Sequence, residues 1–230
     1  MRNLTCLFLA TLLLLLSACL PSEGAIQAAP ADTPTAQPAT GLPGWQNYRQ
    51  DGFTLSLPPG WETFELEGED MDAVVTMLEG LDDPAAQTML EMAASMSSEG
   101  LAGIEVTPQV RFFAREAGGH GMAGVLSLRL PIAMGSNVVC SLMPAFFSQT
   151  GLSVLDRDCS MERNGLGGGR FKTSGRMGGI DSRQSMVFYL DGVDLWILLV
   201  AVEEDLREEY EAALNAIADS FGVEGEAGTP

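Results

Sequence analysis

Residues 186–202 read Met-Val-Phe-Tyr-Leu-Asp-Gly-Val-Asp-Leu-Trp-Ile-Leu-Leu-Val-Ala-Val, two apolar runs on either side of Asp191-Gly192. An Asp-Gly pair between apolar runs is typical of a type I′ turn, so the stretch predicts a β-hairpin. Residues 195–202 are apolar at nearly every position, which is typical of a strand buried on both faces. We therefore expect the second strand of this hairpin to lie centrally in a sheet that is covered on each side.

Further strands are predicted on the N-terminal side of this hairpin, where apolar and polar residues alternate. Residues 61–66 are predicted as a strand as well, and the segments with this pattern are residues 53–57, 110–114 and 126–130. In the segment at residues 110–114, Val110, Phe112 and Ala114 alternate with Arg111 and Arg115, which predicts a strand. The last two segments are joined by a glycine-rich turn, which predicts a second hairpin.

Helices are predicted over residues 71–78, from Pro84 to Gly100, and over residues 206–221. The last of them carries a continuous apolar stripe, which is the pattern of a helix packed on a core. Residues 138–147 fit either a helix or a strand, because Pro144 would interrupt a long helix. The glycine run at residues 165–169 predicts a loop, followed by a polar strand near residues 170–174.

This order of elements predicts an α+β fold, an antiparallel β-sheet flanked by helices. The chain around that domain divides by composition. Residues 19–44 are rich in Ala, Pro and Thr and have too few large apolar residues to build a core, which predicts a disordered tether. The predicted divisions are a signal peptide at residues 1–18, the tether at 19–44, one globular domain at 45–223 and a flexible tail at 224–230.

The N-terminus has the form of a bacterial lipoprotein signal. A positive charge at Arg2 precedes an apolar run over residues 7–16, which is too short for an ordinary membrane-spanning helix. Small residues then precede a cysteine in Leu16-Ser17-Ala18-Cys19. Cleavage before Cys19 would make it the lipid-attachment site and place the protein at the cell membrane, lipid-anchored on the extracytoplasmic side. The alternative is a plain signal peptide or anchor with a chance cysteine.

The chain is strongly acidic, with 12 Lys and Arg against 31 Asp and Glu and a formal net charge of −19. Such a surface repels phosphate backbones and anionic lipid headgroups, which argues against a nucleic-acid partner. Contact with the membrane would therefore come from the lipid on Cys19 rather than from basic charge.

Two of the four cysteines remain for the folded domain, because Cys6 lies in the signal and Cys19 would carry the lipid. In an oxidising compartment, Cys140 and Cys159 are favoured to form a disulfide over remaining as two buried thiols. A metal site is less favoured, because two thiols without a nearby histidine are an incomplete ligand set.

Both ends of the domain resemble a known family. Tyr48-x4-Phe53-Thr-Leu-Ser-Leu-Pro-Pro-Gly-Trp61 resembles the opening strand and turn of PsbP-like domains, which include small bacterial lipoproteins and DcrB-type envelope proteins. The closing block, Tyr189-x-Asp-Gly followed by the apolar strand and Ile217-Ala-Asp-Ser-Phe221, is similar as well. The resemblance implies an α/β/α sandwich and non-enzymatic binding or accessory roles at membranes. It carries over no catalytic residue.

Motifs for catalysis are weak in this sequence. The single histidine, His120, lies in a glycine-rich turn without an accompanying nucleophile motif, so an exposed turn residue is the favoured interpretation. The glycine run at residues 165–169 lacks the Lys-Ser/Thr and the following helix that a phosphate loop requires. We therefore predict that the protein is not an enzyme and has neither a catalytic residue nor a cofactor.

One helical face carries Met89, Met92 and Met96, and thioethers are soft ligands for Cu(I). Methionines at helical spacing more often fill a core or form an adaptable surface, so they are only weak candidates for metal binding. The predicted function is binding or scaffolding at the cell envelope, with an envelope protein or a small ligand as the unknown partner. The alternative is a module that binds a small hydrophobic ligand or copper.

Overall fold

The computed structural model describes residues 43–50, 52–66, 75–76, 78, 80, 84–99, 106–177 and 179–224. Its strands are β1 (Gln46–Gln50), β2 (Phe53–Leu57), β3 (Trp61–Glu65), β4 (Pro108–Glu116), β5 (Gly121–Arg129), β6 (Ser153–Arg163), β7 (Leu166–Met177), β8 (Ile180–Asp191), β9 (Asp194–Glu203) and β10 (Gly222–Val223). Its longer helices are α1 (Pro84–Glu99), α2 (Ser136–Gln149) and α3 (Arg207–Ser220), the last preceded by a 3-10 turn at Glu204–Leu206.

Seven strands form one antiparallel sheet in the order β3-β4-β5-β9-β8-β7-β6. The predicted hairpin is β8–β9, and β9 is the fourth of the seven strands, so its central position is confirmed. Its buried residues alternate between two cores, with Ile197 and Leu199 in one and Leu198 and Val200 in the other. The run is therefore apolar throughout because β9 is buried on both faces of the sheet, as expected.

The two faces of this sheet are covered by different elements. Helices α1 and α2 pack on one face, which we call the helical face. The opposite face is covered by α3 and by a small sheet of strands β1, β2 and β10, from which Phe53, Leu55 and Leu57 enter the second core. The prediction of an α+β fold with an antiparallel sheet flanked by helices is confirmed. Among the described residues, no helix has the length and hydropathy needed to cross a bilayer.

Two ambiguous or mistaken local predictions are settled by the structure. Residues 138–147 are helical and belong to α2, whose apolar face is buried even though Pro144 lies inside it. The glycine run at residues 165–169 is not a loop. Only Asn164 and Gly165 lie in the turn, and Gly167, Gly168 and Gly169 are inside strand β7.

A bulge in β4 changes which residues share a face. The β4–β5 register shifts between Val110 and Phe112, so Arg111 is an extra residue in its strand. Val110 therefore packs on the helical face while Phe112 and Ala114 pack on the opposite one. The strand predicted here is confirmed, whereas the bulge is not visible in the simple alternation of apolar and polar residues.

The helix predictions hold at their described positions. Helix α1 begins at Pro84 and ends at Glu99, and α3 buries Leu214 and Ile217 of the predicted stripe. The helix predicted over residues 71–78 lies mostly outside the described residues, although Val75, Thr76 and Leu78 are helical.

Candidate binding groove

A large concavity lies where the opposite face of the seven-stranded sheet becomes polar. Its volume is about 990 Å³. Strands β4, β5 and β9 supply its floor with Gln109, Ser127 and Trp196, which lie side by side in the register. Arg111, Arg129 and Asp194 are the charged residues of its lining. We call this concavity the Trp196 groove.

Arg111 is held in the groove by the β4 bulge and by three neighbours. Its Nε donates to Ser127 Oγ at 2.8 Å, and Nη2 donates to Gln109 Oε1. Its guanidinium carbon lies 5.9 Å from the centre of the Trp196 ring, within range of a cation–π contact. Bulges near functional sites commonly change the direction of a side chain. Here the extra residue places a guanidinium over an aromatic ring.

Trp196 is fixed from its other side by the β1–β2 turn. Gly52 has a φ of +92°, and a Cβ there would lie 2.6 Å from Trp196 Cζ2. The Phe53 ring lies 6.1 Å from the Trp196 ring. Glycine at this turn therefore allows both the left-handed backbone and the close approach of the indole. The groove floor is pre-formed rather than assembled from mobile side chains.

A smaller crevice of about 250 Å³ lies between α3 and strands β7 and β8. Its cations are compensated by acids. Glu204 Oε1 accepts hydrogen bonds from Arg183 Nη2 and Arg207 Nη1, each at 2.9 Å. The Lys172 ammonium lies 3.8 Å from the Glu211 carboxylate. The crevice is therefore an ion-pair network beside the helix rather than a free charged site.

Within that network the pKa of the Glu204 carboxyl is lowered from its ordinary value near 4.5. Burial alone would raise this pKa, but the hydrogen bonds and charges of Arg183 and Arg207 outweigh burial. The unfolded state therefore binds a proton more readily than the folded state. The stabilising contribution of Glu204 is complete above that value and is lost as the pH falls through the lowered pKa.

This pKa shift predicts a pH-dependent difference between the wild-type protein and Glu204→Gln. Near neutral pH the variant should be less stable by no more than about 1 kcal/mol, because the paired side chains are 27–49% exposed. The difference should shrink as the pH falls below 4.5, when the wild-type carboxylate takes up its proton. Urea unfolding at a series of pH values measures it. The control Glu208→Gln removes an 89% exposed carboxylate and should show a smaller difference.

The structure places the residues predicted from the sequence as follows. A disulfide joins Cys140 on α2 to Cys159 on β6, with the two Cα atoms 5.9 Å apart, which is the pairing that the sequence favoured. His120 is exposed in the β4–β5 turn, with its Nδ1 3.1 Å from Glu203 Oε1. Cys19 lies outside the described residues.

Of the three candidate methionines, the structure describes one side chain. Met89 is fully buried in the core of the helical face, where its thioether methyl fills the space beside Gly124. The side chains of Met92 and Met96 lie outside the described residues. Met89 therefore packs as a core residue rather than lining an open ligand pocket.

Sequence reasoning missed the residues of the Trp196 groove. Arg111 and Trp196 are separated by 85 positions, and they meet only because β5 lies between their strands. A local signal did exist, because polar Gln109, Ser127 and Asp194 stand at the ends of otherwise apolar strands. Only the strand register shows that these ends coincide.

Comparison of the sequence with protein-family models and with curated proteins gives no match. Solved structures do give similarities. The solution structure of cyanobacterial PsbP from Synechocystis sp. PCC 6803 has a TM-score of 0.49 and 12% identity, covering 81% of this chain and 96% of that one. LpqN, involved in cell envelope biogenesis of Mycobacterium tuberculosis, has a TM-score of 0.46 and 10% identity, covering 78% of this chain and 90% of its own.

A cyanobacterial PsbP is thus among the structures similar to this chain. The immunity protein TplEi of the T6SS from Pseudomonas aeruginosa, solved with a peptide, has a TM-score of 0.39 and 12% identity over 78% of this chain and 98% of its own. At these identities the likeness is one of fold alone, and it assigns no site residue.

Proposed function

We propose that this protein is anchored by a lipid on Cys19 at the extracytoplasmic side of a cell membrane and that its α+β domain binds a ligand or partner without catalysis. The observation that carries the proposal is the sequence Leu16-Ser17-Ala18-Cys19 at the end of a short apolar run. A thiol in this position becomes the mature N-terminus after cleavage and accepts the lipid. The Ala/Pro/Thr-rich residues 19–44 would then hold the domain away from the bilayer.

The chemistry of the folded domain suits that location. The Cys140–Cys159 disulfide persists in an oxidising compartment and would be reduced in most bacterial cytoplasms. The formal net charge of −19 disfavours electrostatic attachment to anionic lipids, so a covalent lipid is the consistent means of attachment.

The Trp196 groove supports binding rather than catalysis. Its ionisable lining consists of Arg111, Arg129 and Asp194. Guanidinium groups stay protonated in proteins and cannot serve as general bases. A single exposed aspartate is poorly suited to act as both the general acid and the general base. Such a lining can orient a ligand through charge and hydrogen bonds, with Trp196 as an apolar wall.

The anchor is tested by expressing the full chain in a bacterium that is fed radiolabelled palmitate. The wild-type protein should incorporate label and, after purification from membranes, should begin at Cys19 with the added mass of at least a diacylglycerol. Cys19→Ala should lose all of the label. Intact mass is the decisive readout, because an uncleaved precursor can remain in the membrane fraction through its apolar run.

Cys6→Ala is the matched control, because it removes a cysteine of the signal and should leave labelling unchanged. An unmodified mature N-terminus at another residue would refute the anchor. So would label that persists in Cys19→Ala.

A further inference from the structure

We infer that the Trp196 groove binds an organic oxyanion, a carboxylate or phosphate carried on an apolar group, and that Arg111 and Arg129 hold its charge. The inference rests on the proposed binding role and names the chemistry of the ligand. It is carried by two arginines that lie in one concavity and form no ion pair with a carboxylate of the described residues.

Five of the ten described arginines form ion pairs, and Arg111 and Arg129 are among the five that do not. What distinguishes these two is that they line one concavity. Arg49 pairs with Glu224, Arg115 with Glu62 and Arg170 with Asp219, with closest distances of 2.7–2.9 Å. Among the described side chains, neither Arg111 nor Arg129 forms an ion pair, although acids outnumber basic residues in the chain by 31 to 12. Asp194 stands opposite Arg129 in the β5–β9 register without an ion pair between them.

Arg111 is oriented for a ligand by partners that leave its charge uncompensated. A guanidinium has five N–H donors, and the contacts with Ser127 and Gln109 use two of them. The Trp196 ring lies beside the group, with its centroid 5.9 Å from the guanidinium carbon. Little side-chain freedom is then lost when a bidentate oxyanion binds, and charge-assisted hydrogen bonds are the stronger kind.

Arg129 supplies a second charge from the adjacent strand. It lies two residues beyond Ser127 on β5, about 7 Å along the strand, and its side chain is exposed at the rim of the groove. The Trp196 ring and the exposed Pro131 add apolar surface to the same concavity. This combination of cations, hydroxyl and amide groups, and an aromatic wall fits an anion on an apolar body.

The crevice beside α3 differs from the Trp196 groove because its cationic side chains are already paired with carboxylates. Its Lys172, Arg183 and Arg207 all contact glutamates, so an anion would have to displace an existing ion pair. In the Trp196 groove the Asp194 carboxylate shares the lining, but no ion pair among the described side chains would have to be displaced from Arg111 or Arg129. The overall charge of −19 also disfavours indiscriminate anion binding, so affinity for an anion would report local recognition.

The test is isothermal titration of the full chain, in neutral detergent, with 2-naphthoate, 2-naphthyl phosphate and the uncharged 2-naphthamide. At least one of the two anions should bind, and the tighter of them identifies the preferred oxyanion. The amide should bind at least about tenfold more weakly, since a charge-assisted hydrogen bond is worth about that factor or more.

Arg129→Gln should weaken binding of the preferred anion about tenfold, and Arg111→Gln by as much or more. Arg157→Gln is the matched control, because it removes an exposed arginine on the distant edge strand β6 and should change affinity less than about twofold. If Arg111→Gln fails to fold, Arg129→Gln decides alone, since its side chain is exposed.

The inference is overturned if neither anion binds at millimolar concentration, if the amide binds as well as the anions, or if the groove variants bind like wild type. These titrations are independent of the palmitate experiment. A labelled, anchored protein that binds neither anion would lose only the oxyanion assignment, whereas an unlabelled protein that binds one would lose only the anchor.

Discussion

Gly168→Ala is expected to lower the free energy of unfolding by about 3 kcal/mol, the upper part of the usual range for overpacking a filled site. Gly168 lies in β7 opposite Tyr189 of β8. A Cβ at this position would overlap the carbonyl oxygen of Phe188 and lie 2.6 Å from Tyr189 Cδ1. Because the first of these atoms belongs to the backbone, a side-chain rotation cannot relieve the overlap, and β7 must shift away from β8.

The matched control is Gly80→Ala. Gly80 is helical and exposed, and a Cβ there would meet no atom within 4 Å. Alanine in a helix is favoured over glycine by about 0.5–1 kcal/mol, so this variant should be neutral or slightly more stable. Urea unfolding followed by circular dichroism measures both. A Gly168→Ala protein within about 1 kcal/mol of wild type would contradict the packing described here.

The same contact explains why the glycine run was mistaken for a loop. Gly168 and Gly169 contribute no side chain of their own, and the rings of Tyr189 and Phe188 on the neighbouring strand cover them. Isolated glycines in strands often mark such close approaches, but a run of them between polar residues has the composition of a turn. The covering residues are about twenty positions away in sequence, so a local pattern cannot show them.

Prediction from the sequence identified the strand that is buried on both faces and missed strands that are exposed at a sheet edge. The apolar residues of β9 indicated a central strand because both faces are buried. Strand β6 is mostly exposed at the edge of the sheet, and its polar sequence gives no alternation by which to recognise it. The exposed edge strand β1 was missed for the same reason. An edge strand forms hydrogen bonds with a neighbouring strand on one side only, so its sequence is weakly constrained.

The Trp196 groove could not be predicted from the sequence for a different reason. The alternation of Val110, Phe112 and Ala114 indicates a strand but not its bulge. The bulge turns Phe112 and Ala114 to the face opposite Val110 and brings Arg111 beside Trp196. A bulge is a property of two paired strands, and it depends on register. Sites built on such irregularities are therefore visible only once the pairing is known.

Loss of the Cys140–Cys159 disulfide is expected to lower the free energy of unfolding by about 3 kcal/mol. The bond closes a loop between residues 19 positions apart and ties the edge strand β6 to the buried face of α2. Strand β6 is paired on one side only and much of it is exposed, so few other contacts hold it. A cost of this size is a large share of the stability of an ordinary domain.

The test compares wild type with Cys159→Ser, each with and without dithiothreitol. Serine at the exposed position 159 leaves the buried Cys140 thiol in place, so the variant breaks the bond without opening a cavity. Reductant should destabilise wild type to the level of the variant and leave the variant unchanged. Hydrogen exchange should show the protection lost first in β6, because the covalent tie to α2 is what keeps this edge ordered. Equal stability of oxidised wild type and Cys159→Ser would show instead that pairing with β7 alone holds the strand.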